Sequence, residues 1–300
     1  MGSKFLKAKD LLKPTKYSTH CKTLDELFGG YEAGGVIHLV YGVTMAGKTT
    51  LATYIPIMSI SKYFYENIGK LPSHSCFIVI DTDGGFSPQR LEQILKANNL
   101  PSDEILDRVL IYRPIEFSEQ HTFITKELPD MIKSKNIKPL LISLDPAIAI
   151  YRHIVLTTPA QYLADTIRQY TGKLDAQLVV LRAIGSRFNS VVTVTSWTRS
   201  IVGKILGAES EVAMIGGREM GFLPKTILFL DIIKKSEEEL TPYRIAVLYK
   251  HREKELGKQV IFKLSDRGVE DLTPDEMKKV QEMLTQRKVL EEVKKKRRKR

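Results

Sequence analysis

Cysteine is scarce in this 300-residue chain. There are two, Cys21 and Cys76, far apart and without metal-ligand spacing, which excludes a disulfide framework and leaves a reduced thiol pair as the expectation. No apolar run approaches the roughly 18 residues that a membrane-spanning helix needs. The opening Met1-Gly2-Ser3-Lys4-Phe5 lacks the apolar core of a secretion signal, so a cytoplasmic protein with no membrane partner is expected. Acidic charge is outnumbered: 35 Asp and Glu stand against 46 Lys and Arg, a net charge of +11. The unbroken basic run Lys294 to Arg300 supplies seven of those charges. What is abundant is apolar residues, at 43% beside 27% charged, enough for one sizeable α/β domain with appendages.

The stretch that organises the rest is Gly42-Val43-Thr44-Met45-Ala46-Gly47-Lys48-Thr49, a full match to the phosphate-cradling pattern G-x-x-x-x-G-K-[ST] between a strand and a helix. Val36 to Tyr41 reads as the strand, and Thr50 to Tyr54 continues into the helix. In that pattern the glycines turn backbone N–H groups inward around phosphates and the helix start adds a positive field. Lys48 then reaches the β and γ oxygens, and Thr49 offers its hydroxyl to Mg2+. The expected cofactors are ATP and Mg2+, with Gly42 through Thr50 lining the nucleotide.

Further strands are expected at Cys76–Ile80, Arg108–Tyr112, Leu140–Asp145 and Ser190–Thr195, alternating with helices. A capped helix is expected within Ser18–Gly30, and Pro56 should kink or shorten the helix after the phosphate loop. Leu163, Ile167, Tyr170, Leu174, Leu178, Leu181 and Phe188 mark a long helix with one core-facing stripe. A polar loop should follow from about Ser196 to Gly217. Strand-like segments at Thr226–Asp231, Tyr243–Tyr249 and Gln259–Lys263 without intervening helices suggest a largely antiparallel edge. Thr273-Pro274-Asp275-Glu276 is a capping box opening a C-terminal helix. The fold class is therefore α/β, a mostly parallel sheet flanked by helices, with antiparallel edge strands and a C-terminal helix. Ligands of such sheets sit at the carboxyl ends of the strands, where the phosphate loop, Asp81, Asp83 and Asp145 fall.

Asp145, at the end of an apolar strand, reads as a Mg2+-organising acid or as the cap of the next turn. Asp83 reads as the base for an attacking water or as a turn former in Asp-Gly-Gly. Arg90 either stacks on a base or faces solvent.

Several of these segments resemble the RecA/RadA recombinase superfamily, and within it the archaeal RadA paralogues of the RadB type. Thr23 to Gly30 resembles the family's entry helix. Ile80-Asp81-Thr82-Asp83-Gly84-Gly85-Phe86-Ser87-Pro88-Gln89-Arg90-Leu91 resembles its I-D-T-E-G-x-F-x-P-E-R-[LI] segment. Leu144-Asp145 with Tyr151-Arg152, Lys250-His251-Arg252, and Leu264 to Asp271 resemble later stretches. The resemblance implies a RecA-like P-loop ATPase core over residues 18–272, preceded by an assembly segment over 1–17 and followed by a helix and basic tail over 273–300. It makes Lys48 and Asp83 catalytic, Arg90 and the loop nucleotide-binding, and Thr49 with Asp145 the metal ligands. Asp83 stands where the family has glutamate, and Thr195-Ser196-Trp197-Thr198 where it has T-N-Q-V, so slow hydrolysis is expected.

Phe5-Leu6-Lys7-Ala8 resembles the F-x-x-A hook by which recombinases bind the next subunit. A contact of Phe5 and Ala8 with a second copy or a RadA-type recombinase is the implied reading, and an ordinary helix start the other. DNA, single-stranded by preference, is the implied partner of the basic tail and of two loops, His153–Ala160 and Thr198–Ile215 with Arg199 and Lys204. A solvated tail is the other reading of the charge run. The function implied is an ATP-binding, slowly hydrolysing, DNA-binding recombinase paralogue of recombination and repair. The alternatives are a non-catalytic, ATP-stabilised adaptor for a recombinase or nuclease, and a KaiC-like signalling ATPase.

Overall fold

The computed structural model describes residues 14–198, 219–235 and 239–285. Nine strands form its main sheet: β3 (Ile37–Gly42), β4 (Ser75–Asp81), β5 (Val109–Tyr112), β6 (Lys138–Asp145), β7 (Val191–Trp197), β8 (Thr226–Lys234), β9 (Leu240–Lys250), β10 (Gln259–Ser265) and β11 (Gly268–Glu270). A separate pair, β1 (Lys16–Tyr17) and β2 (Tyr31–Glu32), runs antiparallel. The main sheet has the order β11-β10-β9-β8-β3-β7-β6-β4-β5. β3 pairs in parallel with both β7 and β8, while β8 through β11 pair antiparallel in sequence. The expected antiparallel edge is therefore present, with its first strand also extending the parallel sheet.

Parallel strands carry side chains into two cores, so they read as continuous apolar runs rather than as alternation. Val40, Phe77, Val79 and Leu141 face one layer. It contains α1 (Lys22–Phe28), α2 (Ile55–Ile68), α3 (Pro88–Ala97) and α4 (Ser102–Leu106). Leu39, Ile78, Ile80, Ile142 and Leu144 face the other, built from α5 (Phe117–Thr122), α6 (Leu128–Ser134), α7 (Ala149–Thr157) and α8 (Leu163–Phe188). The stripe of α8 packs there as expected. Leu174, Leu178 and Leu181 are buried, and Tyr170 meets Phe117 edge-on at 5.0 Å between centroids. The short α9 (Glu219–Phe222) precedes β8. The last described helix spans 274–285 and opens with the expected box: Thr273 N–H donates to Glu276 at 2.8 Å and Glu276 N–H to the Thr273 hydroxyl at 3.3 Å.

Two expectations are refined and two corrected. The first helix lies within its expected span, over Lys22–Phe28. The hydroxyls of Ser18 and Thr19 bond Asp25, four residues into the helical segment. Residues 48–68 are helical without interruption, but the regular α-helix around Pro56 begins only at Ile55, after a π turn over Thr50–Tyr54. That wider turn accommodates a residue with no N–H to give. The same device, Phe123–Glu127, precedes Pro129. Residues 153–157 of the expected His153–Ala160 loop are the end of α7, because Tyr151 and Val155 at helical spacing bury into the core. β7 continues to Trp197, so Ser196 and Trp197 are strand rather than loop. Phe5, Ala8, Arg199, Lys204 and the tail Lys294–Arg300 lie outside the described residues.

Candidate nucleotide site

β3 is the strand on which the topology turns. The chain leaves it for β4 on one side and later fills β8 on the other, the arrangement that opens a crevice at the strands' carboxyl ends. Gly42 ends β3 with Trp197 as register partner on one side and Leu230 on the other. A Cβ on Gly42 would lie 2.1 Å from the Leu230 carbonyl oxygen, so the close approach of β8 requires glycine. Gly47 has φ 90°, a left-handed conformation suited to glycine, and a Cβ there would come within 2.8 Å of the Leu264 side chain. Between them Thr44 and Met45 are exposed.

Lys48 is buried, its Nζ donating to the carbonyl oxygens of Val43 at 2.8 Å and Gly42 at 3.2 Å. Burial lowers its pKa, opposed by the carboxylates of Asp145 and Asp83. The amine thus lies inside the loop, among backbone oxygens that a phosphate would replace as acceptors.

Asp145 ends β6 in register with Asp81 at the end of β4. It is buried, and burial raises its pKa, opposed by hydrogen bonds from the Thr195 and Thr49 hydroxyls. Thr53 donates to its other oxygen at 3.3 Å and shares a 2.7 Å hydrogen bond with Ser143. A carboxylate beside a threonine hydroxyl is a hard-oxygen donor set, the chemistry that suits Mg2+. Thr49 and Asp145 therefore fit that ion by donor type. Thr50 opens the π turn, half-buried beside them.

Asp83 is exposed, its Oδ1 accepting the Gly85 amide at 3.0 Å, the turn-forming arrangement. Partial desolvation of its carboxyl is the largest influence raising its pKa, the Gly85 hydrogen bond and Lys48 opposing and the Asp81 charge adding to it. Asp81 is a scaffold. It is 2% exposed and accepts the Gly85 amide at 3.0 Å and Arg113 Nε at 2.8 Å, so it fixes the turn that presents Asp83. Arg90 does not face solvent freely: its guanidinium donates to the Ser265 carbonyl and to Gln93 at 2.5 Å, and lies 3.8 Å from Asp266. That contact ties α3 to the β10–β11 hairpin, which also covers Gly47 through Leu264.

Two arginines escaped the reading of the sequence. Arg113 follows β5 with no motif around it. Arg244 is 7% exposed on β9 and donates to the Met45 carbonyl at 3.3 Å, bracing the phosphate loop from the antiparallel wing. Its signal was available: Arg244, Ala246 and Leu248 are the buried alternate positions of one strand, and a charge there needs a reason. The basic cluster is held within the chain. Lys250 donates to the carbonyls of Gly221 and Phe222 at 2.8 and 2.7 Å, Arg252 pairs with Glu32, and His251 Nδ1 accepts the amides of Glu253 and Lys254.

Comparison with known proteins agrees with this architecture. The Rad51 family model matches residues 12–272. The DNA repair and recombination protein RadB of Pyrococcus furiosus is 32% identical, over 87% of this chain and 98% of that protein. The protein of the same description from Thermococcus kodakarensis is 31% identical, over 85% and 99%. A crystal structure of the RadB recombinase superposes with a TM-score of 0.60 at 29% identity, covering 86% of this chain and 100% of that one. A family model spanning the strands, both helical layers and the phosphate loop places the chain in the Rad51 family, whose members are in general ATPases, and among its RadB-type members.

Proposed function

We propose that the chain is an ATP-binding, slowly hydrolysing, DNA-binding recombinase paralogue that assists homologous recombination and DNA repair in the cytoplasm. The observation that carries this reading is the convergence of Lys48, Thr49 and Asp145 at the ends of β3 and β6 within a fold like that of the RadB proteins. Lys48 and the loop backbone from Gly42 to Thr50 bind the phosphates. Thr49 and Asp145 hold Mg2+, which when bound neutralises charge developing on the transferred phosphoryl group. Asp83 orients or deprotonates the attacking water. It is one methylene shorter than glutamate and its carboxylate is engaged in its own turn, which supports slow turnover. Arg90 contacts the nucleotide from α3.

The core occupies residues 18–272 between an assembly segment, where Phe5 and Ala8 dock on a second copy or a RadA-type recombinase, and a C-terminal helix with a DNA-binding tail. Equilibrium titration with a fluorescent ATP analogue tests the reading. The wild-type protein should bind in the presence of Mg2+, Lys48→Ala should lose binding by at least ten-fold, about 1.4 kcal/mol, and equal affinities would refute the assignment.

A further inference from the structure

The side chains of Arg152 and Trp197 meet beside the phosphate loop, and each is tied to Asp145, Arg152 along the backbone that follows it and Trp197 through hydrogen bonds to Thr195, two residues before it. Asp145 leads directly into Pro146, Ala147, Ile148 and α7, on which Arg152 lies. The Asp145 carboxylate also accepts the hydroxyl of Thr195, and the Ala147 amide donates to the Thr195 carbonyl at 3.0 Å. Two residues further along β7 stands Trp197, the register partner of Gly42. The circuit closes where the Arg152 guanidinium carbon lies 5.6 Å from the centroid of the Trp197 ring, the geometry of a cation–π contact. Both residues are half-buried, so the contact is partly shielded from water.

We propose that the Arg152–Trp197 contact is a positioning device for Asp145: it fastens the start of α7 to the end of β7, and so fixes the carboxylate that the nucleotide site offers to Mg2+. This rests on the phosphate-site reading above. Neither side chain is assigned a contact with the phosphates. Their effect passes through the backbone that follows Asp145 and through the Thr195 hydroxyl, which set the direction of its oxygens together with the Thr49 and Thr53 hydroxyls. A conformational change at Asp145 must then alter the ring's surroundings, because coupling between two sites is reciprocal.

Trp197 is the single tryptophan of the chain, so tryptophan emission reports the surroundings of this one ring. The experiment titrates Mg2+ into full-length protein saturated with a non-hydrolysable ATP analogue, following tryptophan emission and, separately, affinity for a fluorescent nucleotide. Wild-type emission should shift with Mg2+. In Arg152→Leu the shift should fall away and the Mg2+ midpoint should rise about two- to five-fold, the factor expected for a partly exposed cation–π contact. Trp197→Leu should raise the midpoint equally in the nucleotide assay, whereas Arg152→Lys and Trp197→Phe, which keep the cation and the ring, should restore most of it. Thermal melts with and without Mg2+ separate folding loss from this effect, since only a positioning role makes the variant's deficit depend on the ion. A wild-type midpoint in both leucine variants overturns the proposal, as does an equal deficit in the conservative variants. Loss of nucleotide binding in the wild type itself would instead remove the phosphate-site reading.

Discussion

Asp271, just after β11, caps α1, its carboxylate accepting the backbone amide of Thr23 at 2.8 Å across 248 residues of sequence. The Lys22 amide donates at 2.8 Å, and the Thr23 hydroxyl and Cys21 thiol donate as well. Burial raises the pKa of this carboxyl, yet the hydrogen bonds from Thr23, Lys22 and Cys21 outweigh it and hold the group below the ordinary carboxylate range. An aspartate that satisfies the first amides of a helix is worth about 1 to 2 kcal/mol whichever part of the chain supplies it. Asp271→Ala should therefore cost about that much in urea denaturation, and Asp271→Asn less. No change in midpoint for the alanine variant would show that water caps the helix equally well.

This cap also shows where the sequence was legible. The phosphate loop, the five parallel strands from β3 to β7 and the long α8 are written in local pattern: continuous apolar runs, a glycine-lysine spacing, a stripe at three and four. The cap of α1 is not, because the carboxylate that satisfies its first amides comes from Asp271, 248 residues away from Thr23 in sequence. Thr49 and Asp145 were readable from their motifs, and the structure brings them together. The Thr53, Ser143 and Thr195 hydroxyls that brace Asp145 come from three separate elements, and no spacing rule joins them. Pro56 signalled an irregularity in its helix, and the structure realises it as a π turn ahead of the proline rather than a break.

His38 makes stability fall on the acid side. It is 2% exposed on β3, its Nε2 3.0 Å from the Glu32 amide and its ring among Phe28 and Tyr31. Burial is the main cause that lowers its pKa from 6.5 to about 4. The unfolded chain therefore takes up a proton that the native state refuses. The stabilisation is fully present above the unfolded value and is lost as pH falls through the window down to about 4, up to roughly 3 kcal/mol. His38→Gln, which keeps a hydrogen-bonding group, should flatten that acid limb. The difference in unfolding free energy between pH 7 and pH 4.5 is the measurement, and parallel curves for the two proteins would contradict it.

Asp81 and Arg113 should differ in cost although they form one 2.8 Å pair. Asp81 is buried and also holds two backbone amides, while the Arg113 side chain is 55% exposed. Asp81→Ala should cost about 1 to 3 kcal/mol, and Arg113→Ala about 1 kcal/mol or less. Denaturation midpoints in the reverse order would refute the view of Asp81 as the scaffold of the Asp83 turn.

The basic run Lys294–Arg300 should set the salt dependence of DNA binding. Each phosphate of single-stranded DNA neutralised contributes about 0.7 to the slope of log affinity against log salt, so two or three contacts contribute about 2. Truncation after Val293 should weaken binding with little sequence preference and flatten the slope by that amount. A truncated protein with the wild-type slope would assign the run to solvent or to a protein partner.

ATP turnover measured with and without single-stranded DNA bears most directly on the whole account. The shorter acid at Asp83 and Trp197 at the end of β7 predict turnover well below the roughly 10 per second of a median enzyme, rising when DNA is added and abolished in Lys48→Ala. Fast turnover by the wild-type protein would contradict the weakened site. Slow turnover indifferent to DNA would contradict the recombinase reading and favour a signalling ATPase, and no turnover despite tight ATP binding would identify an adaptor.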